Sequence, residues 1–424
     1  THPQYIFAAV PIPDSDKLVF TAAAHHSIVG GALALLDRNA GTEGAEPITR
    51  LTPEVCFPEI EGWPPCYYGN PYPLSEKYFL VTWSDAKLPP HRGSQQVTGR
   101  DNPTNSMGIY LYDAFGNLEL LYRDAEISSM NPIPIRPRPR PAVHSTAAHQ
   151  PSSDAGRVLL QDVYEGLEGI ERGAIKRLRI VGVPPKVQPH MNTPHLGVSK
   201  EDPGKFVLGT VPVESDGSAY FHLPAGVPVF FQALNEEGLA IQTMRSLTYT
   251  QPGQTLSCIG CHEHRHQAPP VRSMPLAAMR SPSKLTPGPE GSWPLRFDRL
   301  VQPVLDESCV RCHSAQADDA RAAAPDLTAP DAYRNLLAFA DNDLHDLAFE
   351  RDRSHVGRCV AQNSKLYALL TESDGHEGVR LTAEQLDRIV TWMDLYAHRL
   401  GSFSPQQEQQ LVRLRQQLAE LLNQ

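Results

Sequence analysis

The residues able to do chemistry stand in two short runs, Cys258-Ile259-Gly260-Cys261-His262 and Cys309-Val310-Arg311-Cys312-His313. Two cysteines at that spacing can form thioethers to both vinyl groups of one porphyrin, and the next histidine can offer its imidazole to the iron. A Cys-x-x-Cys-His run therefore reads as c-type haem attachment. Two runs predict two covalently attached haems c. Two Cys-x-x-Cys pairs also spell a four-thiolate zinc site. Here the gap between the pairs exceeds the usual zinc-ribbon spacing, and both pairs run straight into a histidine that four thiolates would not need. A bound zinc or calcium ion is the lesser expectation.

Covalent haem attachment is an extracytoplasmic event in bacteria, so the protein is expected in the periplasm or secreted outside the cell. The chain opens at Thr1 without a charged-then-apolar leader, as a processed chain or a fragment would. No run of eighteen apolar residues is present, so no transmembrane segment is expected. The formal charge of −10 argues against a nucleic-acid partner. At 424 residues, 41% hydrophobic and 20% charged, the chain is long enough for several globular domains. Of seven cysteines, four belong to the motifs, leaving Cys56, Cys66 and Cys359. Cys56 and Cys66 flank a Pro-rich turn, where either a disulfide or a pair of free or metal-binding thiols fits.

The elements that must position these motifs are mainly β, with a C-terminal α domain. In residues 1–125, Lys17–Ala22, Ala32–Asp37 and Ile48–Leu51 read as short strands. The same order returns as Tyr78–Trp83, Gly108–Asp113 and Leu118–Tyr122, with turns opened by Asp37 and Asp113. Units of this size are β-propeller blades, and two make only a partial propeller; a plain pair of meanders is the simpler reading. Residues 126–157 form a Pro-rich connector, stiff and extended, with solvated arginines. Residues 158–267 alternate as a β-sandwich that ends in the first motif, so a sheet edge should wall the first haem. A Pro/Ser-rich linker covers 268–292.

Residues 293–403 read as a helical cytochrome c-like domain. Phe297, Leu300, Val301, Val304 and Leu305 share one helical face running into Cys309. Thr382 with Gln385 makes a capping box before the stripe Leu386, Ile389, Val390 and Met393. Residues 404–424 form a last helix whose Leu411, Leu414, Leu418, Leu421 and Leu422 can dock on the body or on a partner.

The chain resembles the family of the hydrazine synthase alpha subunit. The residues that carry the likeness are Asp216-Gly-Ser-Ala-Tyr-Phe221, Phe231-Gln-Ala-Leu234, Gln251-Pro-Gly253 leading to Ser257-Cys-Ile-Gly-Cys-His-Glu-His264, and Gln302-Pro-Val-Leu305 before the second motif. Ala24-His-His26, Asp113-Ala-Phe-Gly-Asn117 and Ser364-Lys-Leu366 extend it along the chain. The resemblance implies a propeller-containing N-terminal domain, a middle domain with one haem and a C-terminal domain with a second. It makes the two blades the tail of a larger propeller.

In that family a tyrosine four residues beyond the first motif histidine holds the iron, and the motif histidine binds zinc. Here that position is His266. Either His266 replaces the tyrosine, or His262 binds the iron with His264 or His266 on the other side. The resemblance also implies two histidines on the second haem, His313 and, from the N-terminal domain, His25 or His26. The local alternatives are Met393, His345, His355 and His376.

The leading expectation is a dihaem c-type cytochrome in electron transfer, working with a redox partner protein and able to form a homo-oligomer or multisubunit complex. Two other readings stand beside it. One is redox catalysis on a small nitrogen compound at the first haem, with Asp216, Glu263 or His264 as proton donor; the other is a binding scaffold with structural haems.

Overall fold

The computed structural model describes residues 3–25, 30–85, 103–138, 140, 155–188, 193–261, 273–317, 325–349 and 355–422. The chain divides into two compact units, Thr1–Ala142 and Val143–Gln424.

In the first unit, β1 (Tyr5–Pro11), β2 (Lys17–Ala23), β3 (Gly31–Asp37) and β4 (Ile48–Arg50) form one antiparallel meander. β5 (Tyr67–Pro73), β6 (Tyr78–Ser84), β7 (Gly108–Asp113) and β8 (Leu118–Tyr122) form a second. The two are stitched by a single pair, Gly31 opposite Tyr68. Gly31 allows that approach because a Cβ there would lie 2.0 Å from the Ala22 carbonyl oxygen. Alternating burial in β7 turns Tyr110 and Tyr112 into a core with Phe20, Leu33, Phe57 and Phe79. The turn after β7 is built by Asp113, whose carboxylate accepts the Phe115 and Asn117 amides, each at 2.9 Å. These are two four-stranded meanders within one eight-stranded sheet, one strand richer at the start of each than the sequence pattern suggests. Past them the chain is extended, and Arg136 and Arg138 are exposed, their guanidinium groups 6.0 and 5.8 Å from the centre of the Tyr72 ring. Cys56 and Cys66 carry free thiols rather than a disulfide.

The second unit is layered. A three-stranded sheet holds β9 (Ala155–Leu160), β12 (Ala219–Pro224) and β15 (Thr255–Cys258) in the order β12-β9-β15. A four-stranded sheet holds β10 (Arg177–Gly182), β11 (Phe206–Pro212), β13 (Val229–Leu234) and β14 (Ala240–Thr243) in the order β11-β10-β13-β14. Side chains alternate along each strand. Leu178 and Ile180 therefore enter the sandwich core with Val158, Leu160 and Phe221, while Val181, Val207 and Phe230 enter a second core on the opposite face.

That second core is closed by helices. These are α1 (Phe297–Leu300), α2 (Gln302–Ser308), α3 (Ala332–Phe349), α4 (Val360–Asn363), α5 (Lys365–Leu370) and α6 (Ala383–Asp394). The stripe from Phe297 to Leu305 is buried as its spacing predicts, and Pro303 sits in the first turn of α2. The Thr382–Gln385 capping box is formed. α3 is two helical stretches broken at Ala340–Asn342, where φ is positive. Residues 273–292 run along the sandwich, with Leu285 fully buried and Thr286 bridged to Thr210.

The last helix, α7 (Pro405–Gln417), lays Leu411, Leu418 and Leu422 into the sandwich core, and the Trp293 indole donates to the Leu411 carbonyl at 2.9 Å. The leucine seam is thus spent within the chain, on the body of the second unit. Leu411→Ala is expected to lower unfolding stability by about 2–5 kcal/mol, read as a shift of the urea midpoint.

Candidate haem sites

The first motif is set by strand pairing. β15 runs parallel to β9, with Cys258 opposite Leu160, and the pairing continues into the loop: the Gln161 amide donates to the Cys258 carbonyl at 2.9 Å and the Asp162 amide to Ile259 at 3.0 Å. The Cys261 amide then donates back to the Glu165 carbonyl at 3.1 Å. Between the cysteines the backbone presses so close to Glu165 that a Cβ on Gly260 would lie 2.4 Å from that side chain, so the position requires glycine. The loop receiving the motif is itself pinned. The Asp162 carboxylate accepts the Tyr164 amide at 3.0 Å and pairs with Arg172, whose guanidinium lies 5.2 Å from the centre of the Tyr164 ring.

Both cysteines open on a cavity of about 480 Å³ whose apolar wall includes Leu160, Leu167, Phe221 and Phe231. Burial pushes the Cys261 thiol up to about 12, with the neighbouring Cys258 and Asp162 charges adding to it. A buried thiol at the apolar wall of this cavity is well placed to form a thioether to an apolar group that fills it. The sheet edge expected to wall this motif does line the cavity.

The rim adds two residues that sequence reasoning passed over, Met244 and Arg245, just beyond the end of β14. One brings a soft sulfur donor and the other an exposed cation. His262, Glu263, His264 and His266 lie outside the described residues, as does His26. Asp216 is described, and its carboxylate is committed. Burial pushes it up, but hydrogen bonds from the Leu276 amide at 2.8 Å and from the Ser218 hydroxyl and amide outweigh this and hold it below the usual range.

The second motif caps α2. The Cys309 amide donates to Leu305 at 2.8 Å, Cys312 to Cys309 at 3.1 Å and His313 to Cys309 at 2.9 Å, one continuous turn. Cys309 and Val310 pack on the helical core, and burial raises the Cys309 thiol. Facing His313 is His376, with ring centroids 5.9 Å apart and planes 16° from parallel. His313 Nδ1 is buried with no hydrogen-bond partner among the described residues. Buried ring nitrogens are nearly always satisfied, so this imidazole fits a ligand role.

Three of the other expected donors, Met393, His345 and His25, meet other side chains. Met393 is fully buried in the core, its sulfur accepting from the Ser364 hydroxyl at 3.5 Å. His345 meets Asp346 at 3.1 Å. His25, in the first unit, stacks on Tyr5 with ring centroids 5.4 Å apart. The motif cysteines do not converge into one four-thiolate site, since the two pairs belong to separate cores. Among the described residues no group of three or more His, Cys, Asp or Glu side chains forms a metal site.

Residues 173–263 match the family model described as hydrazine synthase alpha subunit middle domain. The stretch runs from before β10 to just past the first cysteine pair. The fold is similar to that of a chain of Kuenenia stuttgartiensis Hydrazine Synthase, with a TM-score of 0.61 and 18% identity, over 94% of this chain and 62% of that one. This chain thus spans less than two thirds of that chain's length. No curated protein matches the sequence. The family match thus passes through strands of both sheets into the first motif, and the fold is similar to that of the hydrazine synthase chain along nearly the whole of this one.

Proposed function

We propose that this protein is an extracytoplasmic dihaem c-type cytochrome that passes electrons to or from a redox partner protein. The observation that supports this most is that the two Cys-x-x-Cys-His motifs enter the two cores on opposite faces of one four-stranded sheet. The four-stranded sheet separates the two cores on which the motifs pack. Bound haem supplies one-electron chemistry at each site. The chain's own work is to hold the attachment points rigid and to keep water out. The sandwich core does this at Cys258 and Cys261, and α2 with α6 does it at Cys309. Among the described residues no helix is long and apolar enough to cross a membrane.

A second reading, redox chemistry on a small nitrogen compound at the first site, draws on the middle-domain match and on the cavity beside Cys258 and Cys261. Carbon monoxide separates the two, because six-coordinate iron leaves it no place to bind. For electron transfer, both haems of the reduced protein stay low-spin and the visible spectrum is unchanged under the gas. Binding at one haem would favour the catalytic reading instead.

A further inference from the structure

We infer that the ion pair of Asp162 with Arg172 sets the reduction potential of the haem attached at Cys258 and Cys261, Asp162 being a positioning residue that carries a negative charge to the motif. The inference rests on the dihaem reading and deepens it at the first site.

Three observations carry it. The first is position. The Asp162 amide donates to the Ile259 carbonyl at 3.0 Å, and Ile259 lies between the two cysteines. To either side, the Gln161 amide donates to the Cys258 carbonyl at 2.9 Å, and the Glu165 carbonyl accepts the Cys261 amide at 3.1 Å. Residues 161–165 thus hold the motif at both ends and in the middle.

The second is how the carboxylate is held. Its Oδ1 accepts the Tyr164 amide at 3.0 Å, and its Oδ2 pairs with Arg172. The Tyr164 hydroxyl accepts the amides of Gly173 at 2.7 Å and Ile175 at 3.0 Å, which fixes the stretch that brings Arg172 round. Arg172 also donates to the Asp216 carbonyl at 3.2 Å. Gly217, with φ at 88°, leaves room for the carboxylate, since a Cβ there would lie 2.5 Å from Asp162 Oδ1. The Asp216-Gly217 turn picked out in the sequence therefore helps to seat Asp162.

The third is asymmetry. The Asp162 side chain is 3% exposed and that of Arg172 57%. Water screens the guanidinium and screens the carboxylate far less. The pair is not neutral as felt at the motif, because its buried end is the negative one. That charge reaches the motif, where it helps to raise the Cys261 thiol. A buried negative charge favours the oxidised, more positive iron and so lowers the potential.

The test uses the full chain matured with haem, read by haem count and by the midpoint potentials of both haems. The midpoint missing from the Cys258→Ser, Cys261→Ser protein identifies the first haem. In Asp162→Asn, whose side-chain oxygen can still accept the Tyr164 amide, we expect that midpoint to rise. In Arg172→Gln, which removes the cation, we expect it to fall. Each shift should be about tenfold in the equilibrium between oxidised and reduced forms, about 59 mV for one electron. Arg172→Lys keeps the charge and should restore the parent value, and the second midpoint should stay unchanged throughout. A purely structural pair would move the first midpoint the same way in both charge variants, because both loosen the same loop. Shifts of the same sign, or none, with two haems present would overturn the inference and leave the dihaem reading standing. If Asp162→Asn fails to retain the first haem, the half-exposed Arg172 decides: a fall in Arg172→Gln bears the inference out, and a rise or no change overturns it. Loss of the first haem from both variants would show that the pair acts on attachment and not on potential, and would also overturn it. A parent without covalent haem at Cys258 and Cys261 would remove the dihaem reading and the inference together.

Discussion

A protein carrying Cys258→Ser and Cys261→Ser is expected to retain half of the parent's covalently bound haem, with the second site intact. The separation follows from the architecture. Cys258 and Cys261 pack on the sandwich core, and Cys309 packs on the helical core across the four-stranded sheet. Emptying one cavity does not touch the turn that holds the other motif. Serine keeps the shape of each side chain but cannot form the thioether, so the change isolates attachment from packing. The first cavity, about 480 Å³ with apolar walls, would then lack the group that fills it, and unfilled apolar volume costs stability. The unfolding midpoint of the second unit should fall along with the haem count. A variant that kept both haems, or lost both, would show that the motifs do not act as separate attachment sites.

The second large effect is expected at Asp394. This carboxylate is fully buried at the end of α6. It accepts the Ala240 amide at 2.9 Å and the Ala361 amide at 2.8 Å, tying β14 to α4. The same buried network contains Arg179, which donates to Gln232 and Thr391, each at 2.9 Å, while Gln232 donates to Thr243 at the wall of the first cavity. Burial draws the Arg179 guanidinium below its ordinary value, opposed by the Asp394 and Asp387 charges. Asp394→Ala removes one charge of this cluster and orphans two buried amides, a loss of about 3–5 kcal/mol. Against a total stability of about 5–15 kcal/mol, that is enough to unfold much of the second unit. A urea midpoint equivalent to less than about 1 kcal/mol of change would contradict it.

The same residue sets a pH dependence. Burial raises its folded pKa from 3.8 to about 6, against the Arg179 charge and the two amide bonds, which lower it. A raised folded pKa contributes stability that is fully present below about pH 4 and lost as the pH rises through about 6. At 1.36 kcal/mol per unit, the contribution is about 3 kcal/mol. The stability of the parent minus that of Asp394→Asn should fall by about this amount between pH 4 and pH 7.

What could be read in the chain was whatever has a local cause. The two motifs, the Asp113 turn, the Thr382–Gln385 box and the stripe from Phe297 to Leu305 each follow from residues within one turn or one strand of each other. What escaped depends on partners far along the chain. β15 is four residues long and exists because β9 pairs with it in parallel, a register no local pattern announces. The segment ending at Val181 reads as alternating. It is buried on both faces because α6 covers the second one, and Arg179 is only 2% exposed. The leucine seam of α7 fits a partner as well as the body until the sandwich core shows where it lies. At the candidate sites the cysteines were legible from spacing and His376 stood among the local alternatives, while its ring contact with His313 depends on a turn bounded by Gly375 and Gly378 that no local pattern fixes.

The most direct measurement of the central claim is intact mass together with a pyridine haemochrome spectrum on the protein purified from an extracytoplasmic compartment. The account predicts a mass increase of two haem groups and a c-type spectrum of matching intensity, with no tightly bound zinc. An unmodified chain holding zinc on its cysteines, or a single haem, would contradict it.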